Sequence, residues 1–323
     1  ILIVIQSIAM NTVSGGRVFG EFSKLSLTNE WDRLEEIRET RVVFEDIVFN
    51  GNEVIIQTAR EAITVYYDNE DGFKVLESDT GYYLFSEEDD QLVFETENIS
   101  GTVYFSYDED EQAVQDYIVL NIYHQTFAFF MNDERLILSG TGGVSQTDYP
   151  RTFGLLDGYE RFASGRGYIW SRSIPLLYDN ILIGEGPGMY AISFPQHDYI
   201  GKINGLSTYS IIVDKPHNLY LQIGIETGVL SLIAFIGLFI MYAVQSFMLY
   251  INRRLYTFKE FIGVSMFISV MSYLAAGLFN DQIVSVAPLF YVMAGLGFAV
   301  NYMVRHEQPI DTLLKEENAN EAI

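Results

Sequence analysis

Two hydrophobic rhythms divide the chain. From about Arg41 to Ser139, short apolar or alternating runs recur. They include Val42-Val43-Phe44, Glu53-Val54-Ile55-Ile56, Ile63-Thr64-Val65-Tyr66-Tyr67, Gln91-Leu92-Val93-Phe94, Thr102-Val103-Tyr104-Phe105, Tyr117-Ile118-Val119-Leu120 and Ala128-Phe129-Phe130. Turn formers such as Asn50-Gly51-Asn52 and Asn69-Glu70-Asp71-Gly72 separate them. Many β-branched and aromatic runs at this spacing predict an all-β sandwich or jelly-roll-like module. Its Tyr and Phe residues are expected to fill the core; the alternative is an exposed set that binds glycan.

The second rhythm is continuous. Residues 229–250, 261–279 and 283–304 are apolar stretches without a charge. Each reaches or nearly reaches the ~20 residues that cross a hydrocarbon core, and each carries the Gly and small residues of packed membrane helices. A soluble helical core is the competing reading, but three such runs joined by short polar links are rare in water-soluble folds. The opening Ile1-Leu2-Ile3-Val4-Ile5 has no initiator Met and no signal-peptide pattern. It is read as the outer end of a further membrane helix, and the chain as the C-terminal part of a larger protein.

The expected order is therefore a membrane-helix end at 1–12, a linker at 13–40 and a β-rich domain at 41–149. A polar segment with chemical character follows at 150–218, then three membrane helices within 219–304 and a tail at 305–323. The fold class is mixed: a multi-spanning α-helical membrane domain with an extracytoplasmic all-β insertion.

Charge orients this arrangement. The link 251–260 carries Arg253, Arg254 and Lys259 against Glu260, and Arg305 follows the last apolar run, whereas the opposite link is Asn280-Asp281-Gln282. Positive residues stay inside, which puts the C-terminus in the cytoplasm and residues 11–217 outside. The net charge of −24 is concentrated: residues 30–116 hold 25 Asp and Glu against 5 Lys and Arg. That balance excludes a nucleic-acid-binding face, which would be basic. The acid is left to serve solubility or the attraction of cations and cationic polymers. Asp108-Glu109-Asp110-Glu111 and Glu87-Glu88-Asp89-Asp90 lack calcium-loop spacing and are read as solvated loops. No cysteine is present, so thiolate metal sites and cysteine nucleophiles are excluded.

Past Tyr149-Pro150 the acidic bias ends. Arg151, Arg161, Arg166 and Arg172 are followed by Gly184-Glu185-Gly186-Pro187-Gly188 and then by His217-Asn218. The glycines form neither a P-loop nor a dinucleotide fingerprint, because the Gly-Lys-Ser/Thr ending and the strand–helix unit are both missing. Arginine offers a planar fork to phosphate. It can stabilise the charge that grows on a diphosphate leaving group without a metal. A histidine can take the proton from an attacking hydroxyl. Taken singly, a lone Arg outside a membrane is more often a surface ion pair, and a lone His before a helix more often a cap or packing residue, than a catalytic group.

The set resembles a known family. Ser164-Gly165-Arg166 with Trp170, the Gly184–Gly188 turn, and His217-Asn218-Leu219-Tyr220-Leu221 ending in Glu226-Thr227-Gly228 look like the signature of the O-antigen ligase/polymerase family. These are multi-spanning glycosyltransferases of the bacterial envelope, with a large outer loop before the last membrane helices. The resemblance covers roughly residues 151–304, and His217 with Gly228 matches a recurrent His, ten residues, Gly pattern. It departs from the family at Ser231 and, more substantially, in the acidic β-rich region that enlarges the outer loop.

By this resemblance Arg166 holds the lipid diphosphate and His217 activates the acceptor hydroxyl. Arg172, Gly184, Gly186, Gly188 and Asn218 are candidates for binding donor or substrate. The resemblance implies a polyprenyl-diphosphate (undecaprenyl diphosphate) glycan donor, a sugar hydroxyl acceptor, a bacterial cell membrane location and a role in cell wall or capsule biogenesis. It implies no cofactor, metal or nucleotide sugar. Three functions stay open: a polysaccharide polymerase, an O-antigen ligase that moves finished glycan to lipid, protein or wall polymer, and a non-enzymatic glycan receptor or transporter.

Overall fold

A computed structural model describes residues 42–77, 81–83, 85–88, 91–105, 116–132, 134–140, 146–251 and 257–306. The expected helix end at 1–12, the linker at 13–40, Arg253, Arg254, the Asp108–Glu111 run and tail residues 307–323 lie outside the described residues. The chain forms two compact units. One contains the strands with residues up to 178 and 189–214; the other contains 179–188 and everything described from 215 onward. The segment read as 150–218 is thus shared between them.

The β unit is built from two antiparallel meanders. The first runs β1 (Phe44–Asn50), β2 (Glu53–Thr58), β3 (Ala62–Asp68), β4 (Gly72–Glu77) and β5 (Gly81–Tyr82). The second runs β6 (Ser86–Glu88), β7 (Gln91–Glu95), β8 (Ile99–Tyr104), β9 (Tyr117–Ile122), β10 (Gln125–Asn132) and β11 (Arg135–Leu138). In both sheets every strand pairs with its neighbour in sequence. The sandwich expectation therefore holds, and among the described residues no strand crosses between the sheets as a jelly roll requires.

Alternation builds the core. Val54, Ile56, Ile63, Val65 and Val75 from the first sheet meet Ile118, Leu120, Ile122, Phe127 and Phe129 from the second in one buried cluster. Gly101 is required where β8 passes under Phe94: a Cβ there would lie 2.1 Å from the Phe94 ring.

Among the described residues, the α-helices of this unit are α1 (Phe162–Asp179, whose last residue falls at the unit boundary), α2 (Tyr190–Ser193) and α3 (Tyr199–Leu206). Tyr199 and Ile203 of α3, with Tyr209 beyond it, complete the sandwich core. The Asn204 amide substitutes for a neighbouring strand, donating to Phe44 O at 2.8 Å and accepting from Phe44 N at 3.2 Å.

The other unit contains α4 (Leu219–Thr227), α5 (Val229–Tyr250), α6 (Phe258–Ala276) and α7 (Ala287–His306). The last three are long and apolar enough to cross a membrane. They pack through Phe239, Tyr242, Val270, Leu274, Phe290 and Ala294. Small residues set the spacing, as in membrane helix pairs: a Cβ on Gly297 would meet the Tyr242 hydroxyl at 2.2 Å, and one on Gly263 the Tyr250 hydroxyl at 2.0 Å. A buried polar chain ties α5 to α7, with Tyr250 Oη donating to Asn301 Oδ1 at 2.8 Å and Asn301 Nδ2 to Ser246 Oγ at 2.7 Å.

Candidate functional site

In the helical unit the site grows from the start of α4. His217 adopts a left-handed backbone (φ 49°), an uncommon conformation for a non-glycine residue. It turns the chain so that Asn218 can cap the helix. The Asn218 Oδ1 accepts from Tyr220 N and Leu221 N, both at 3.0 Å, and its Nδ2 donates to Leu278 O at 2.9 Å. Leu219 N adds a bond to Gly277 O at 2.7 Å. The first turn of α4 is thereby fixed to the end of α6. Asn218, expected to touch substrate, has its side-chain amide engaged in holding this junction.

That junction brings His217 to the link between α6 and α7. His217 Nδ1 lies 2.8 Å from Asp281 Oδ2. The Asp281 side chain is 7% exposed and the His217 side chain 43%, and the second Asp281 oxygen is buried without a hydrogen-bond partner. The link is also held from α4, since Gln282 N donates to Gln222 Oε1 at 2.8 Å. A carboxylate accepting from Nδ1–H selects the tautomer in which Nε2 is the free acceptor. This is the form that removes a proton from a hydroxyl.

Asp281 has no motif of its own in the sequence, where it stands in the short link Asn280-Asp281-Gln282. It lies 64 positions from His217. The available signal was that it is the only charged residue in the link between two apolar runs.

The Gly184–Gly188 turn sits in the same unit, against the joint between α4 and α5. Glu185 N donates to Ile225 O at 2.9 Å and Gly186 N to Glu226 O at 3.0 Å, while Val229 N and Leu230 N donate to Asn180 O and Ile181 O at 2.9 and 3.1 Å. The turn thus satisfies carbonyls at the end of one helix and amides at the start of the next, groups that helices leave unpaired. Gly188 (φ 77°) has open space beside it.

The joint itself is Gly228 (φ 98°), where a Cβ would come within 2.9 Å of Leu182 O. The interval between His217 and Gly228 is the length of α4 with its cap. A Cβ on Gly184 would fall 2.2 Å from the Glu226 carbonyl carbon, which backbone cannot yield to cheaply. Gly184→Val is therefore expected to push the turn off the joint and sharply reduce the folded protein recovered from membranes, while Gly188→Ala is tolerated better. Detergent size-exclusion profiles of the two variants check this.

In the β unit, Arg166 follows three residues with left-handed backbone, Ala163, Ser164 and Gly165 (φ 50°, 62° and 88°). Such strain costs on the order of 1–3 kcal/mol per non-glycine residue and clusters at functional sites. Gly167 is needed at the next turn, because a Cβ would lie 2.0 Å from Tyr159 O. Arg166 Nη1 donates to Ala163 O at 2.9 Å, and its Nε is buried with no hydrogen-bond partner.

Arg172 is differently placed. Its Nε donates to Asp198 Oδ2 at 2.9 Å and its Nη1 to Ser171 Oγ at 2.7 Å. Its guanidinium lies 4.7 Å from the Tyr168 ring centroid. The two charged side chains are 10% and 5% exposed. Asp198 also caps α3, accepting from Gly201 N at 2.9 Å. Burial, with the Asp198 charge beside it, pushes the Tyr168 hydroxyl far above its ordinary pKa. Lys202 is buried nearby and donates to Gln196 O at 2.7 Å; desolvation pulls its pKa down to about 8, against an opposing pull from Asp198. Arg166 and Arg172 thus belong to the β unit, and His217, Asn218 and the three turn glycines to the helical unit.

Apolar spans, a polar segment leading into them and a carboxylate-oriented histidine define a membrane protein with acid–base potential at its helix ends. Residues 118–236 match the family model described as O-antigen ligase. The match supports the O-antigen ligase/polymerase family and, with it, a glycan-processing membrane enzyme. It begins in β9 and ends within α5, so it takes in Arg166, Arg172, the glycine turn, His217, Asn218 and Gly228. It starts before residues 151–304, the stretch that carries the resemblance, and stops short of Asp281. No significant match was found among curated proteins or among solved structures.

Proposed function

We propose that the chain transfers oligosaccharide from a polyprenyl-diphosphate donor to a sugar hydroxyl during the synthesis of cell-surface polysaccharide. The observation that carries this is the His217–Asp281 pair at 2.8 Å, within a helix junction that the sequence holds by several backbone and side-chain bonds. In the proposed reaction His217 Nε2 takes the proton of the acceptor hydroxyl. The hydroxyl oxygen forms a new bond to the anomeric carbon as the bond from that carbon to the phosphate oxygen breaks. The electron pair leaves with the lipid diphosphate, whose growing charge suits a guanidinium.

Arg166 is assigned that last task, supported by its unpartnered Nε and the strained backbone before it. Arg172, whose fork engages Asp198 and Ser171, is assigned to the frame, as are Gly184 and Gly186. Direct displacement inverts the anomeric configuration, so a product that retains it would contradict this route. The outer orientation of residues 150–218 belongs to the same proposal, because a flipped lipid-linked glycan is presented there.

The cellular test uses a strain lacking the protein. The unaltered chain is expected to restore surface polymer, and His217→Ala and Arg166→Ala are expected to fail while still reaching the membrane. Full polymer with both variants would favour a non-enzymatic receptor. A donor that lengthens in a reconstituted assay identifies a polymerase; a single transfer to a different acceptor identifies a ligase.

A further inference from the structure

The face of β7 to β10 turned away from the core is ordered into rows, and beside Phe130 the surface ends at Ile137 of β11, which is buried. The pairings Tyr104↔Tyr117 and Tyr117↔Phe130 align three aromatics across β8, β9 and β10. Val93↔Thr102, Thr102↔Val119 and Val119↔Ala128 form a row of smaller side chains beside them. Glu95↔Ser100, Ser100↔Asn121 and Asn121↔Thr126 form a polar row. Rows two residues apart lie about 7 Å from each other, so the three rows span roughly 14 Å.

The intervening positions face inward and explain the core: Ile99, Val103, Ile118, Leu120, Ile122, Phe127 and Phe129 are all buried there. The core therefore accounts for Phe127 and Phe129 but not for the aromatic row. Tyr117 remains 37% exposed, and its ring stacks on Tyr104 with centroids 4.9 Å apart and planes 11° from parallel. At the opposite end Thr126 Oγ1 donates to Asn121 Oδ1 at 2.7 Å, leaving the exposed Asn121 amide nitrogen as a donor for another group.

We propose that this face binds an uncharged glycan chain, with the aromatic row taking the apolar C–H faces of sugar rings and the Ser100–Asn121–Thr126 row their hydroxyls. A sugar offers both surfaces, and few other ligands pair an apolar stripe with a neutral polar stripe at this separation. Charge selects among glycans. On strands β7 to β10 the three rows contain one ionisable group apart from the tyrosine hydroxyls, Glu95, and no cation. Residues 30–116 carry 25 acidic against 5 basic side chains, so an anionic polymer is repelled. The binding chemistry stands apart from the transfer chemistry; the inference rests on the proposed function only in taking the bound glycan to be a substrate or product of that reaction.

The test is affinity electrophoresis of the full-length chain in detergent through gels containing dextran, galactomannan, mixed-linkage β-glucan, the neutral polysaccharide fraction of the host surface, or anionic alginate. Retardation is expected in at least one neutral gel and not in alginate. It should weaken at least tenfold in Tyr117→Ser/Phe130→Ser. Should that double variant misfold, Asn121→Ala/Thr126→Ala, at two exposed positions, is expected to show the same loss with an unchanged thermal midpoint. His217→Ala is expected to bind glycan like the unaltered protein, which separates failure of this face from failure of the transfer site. No retardation in any neutral gel, retardation untouched by a folded variant, or retardation by alginate would overturn the proposal.

Discussion

Replacing His217 with alanine is expected to lower glycan transfer by about 100- to 10,000-fold, the range that a positioned general base contributes. The variant keeps the α4 cap, which Asn218 supplies and not the imidazole, but it leaves the Asp281 carboxylate buried without its partner. Transfer is therefore compared at equal amounts of folded protein, and some loss of thermal midpoint is expected. Asp281→Asn is the sharper companion. It keeps the shape of the carboxylate, but its amide nitrogen can donate to Nδ1. That favours the tautomer in which Nε2 carries the proton and cannot accept one. A carboxylate that only orients a histidine is known to matter on this scale in hydrolases, so a loss of about 100-fold or more is expected. The loss should appear in kcat with KM little changed, as for an interaction made in the transition state. Were Asp281 a structural residue alone, protein yield and thermal midpoint would fall and the kcat of the surviving folded fraction would not.

The second large effect separates two arginines that look alike in the sequence. Arg172→Ala leaves Asp198 buried without its partner, and breaking a buried ion pair from one side costs about 3–5 kcal/mol. The thermal midpoint of the β unit should drop steeply. Removing Asp198 as well should recover little, because Asp198 also caps α3 through Gly201 N. Arg166→Ala removes one bond, to Ala163 O, and should change the midpoint little while abolishing transfer. Arg166→Lys keeps the charge without the fork, so partial activity there would point to simple charge stabilisation. A midpoint for Arg172→Ala equal to that of the unaltered chain would contradict its place in the frame.

The apolar runs announced the helices to within a few residues, and the reasons for the offsets are local. The second run was expected at 261–279 and the helix is Phe258–Ala276. Thr257 and Glu260 form a capping box that draws polar residues into its first turn, and Gly277 follows its end. The strands were legible because alternation coincides with burial, as along Ile118, Leu120 and Ile122. The meander order was not, since alternation fixes which face a residue takes and not which strand lies beside it.

Helices α1 to α3 are not legible in the sequence. Their sequence mixes glycines, Pro175 and tyrosines without an apolar stripe, and they are held by tertiary partners such as Asp198 and Asn204. The candidate site was half visible. His217 and Gly228 carried a spacing that proves to be the length of one short helix, whereas Asp281 becomes a partner only when α6 returns the chain to the start of α4.

The most direct measurement uses the purified full-length chain in liposomes, with a polyprenyl-diphosphate oligosaccharide as the only sugar source and no nucleotide sugar. Mass spectrometry would follow released lipid diphosphate and new glycosidic bonds together. The account predicts one lipid diphosphate released for each bond formed, inverted configuration at the new linkage, and neither product with His217→Ala. Equal turnover by His217→Ala, or bond formation without release of lipid diphosphate, would contradict it.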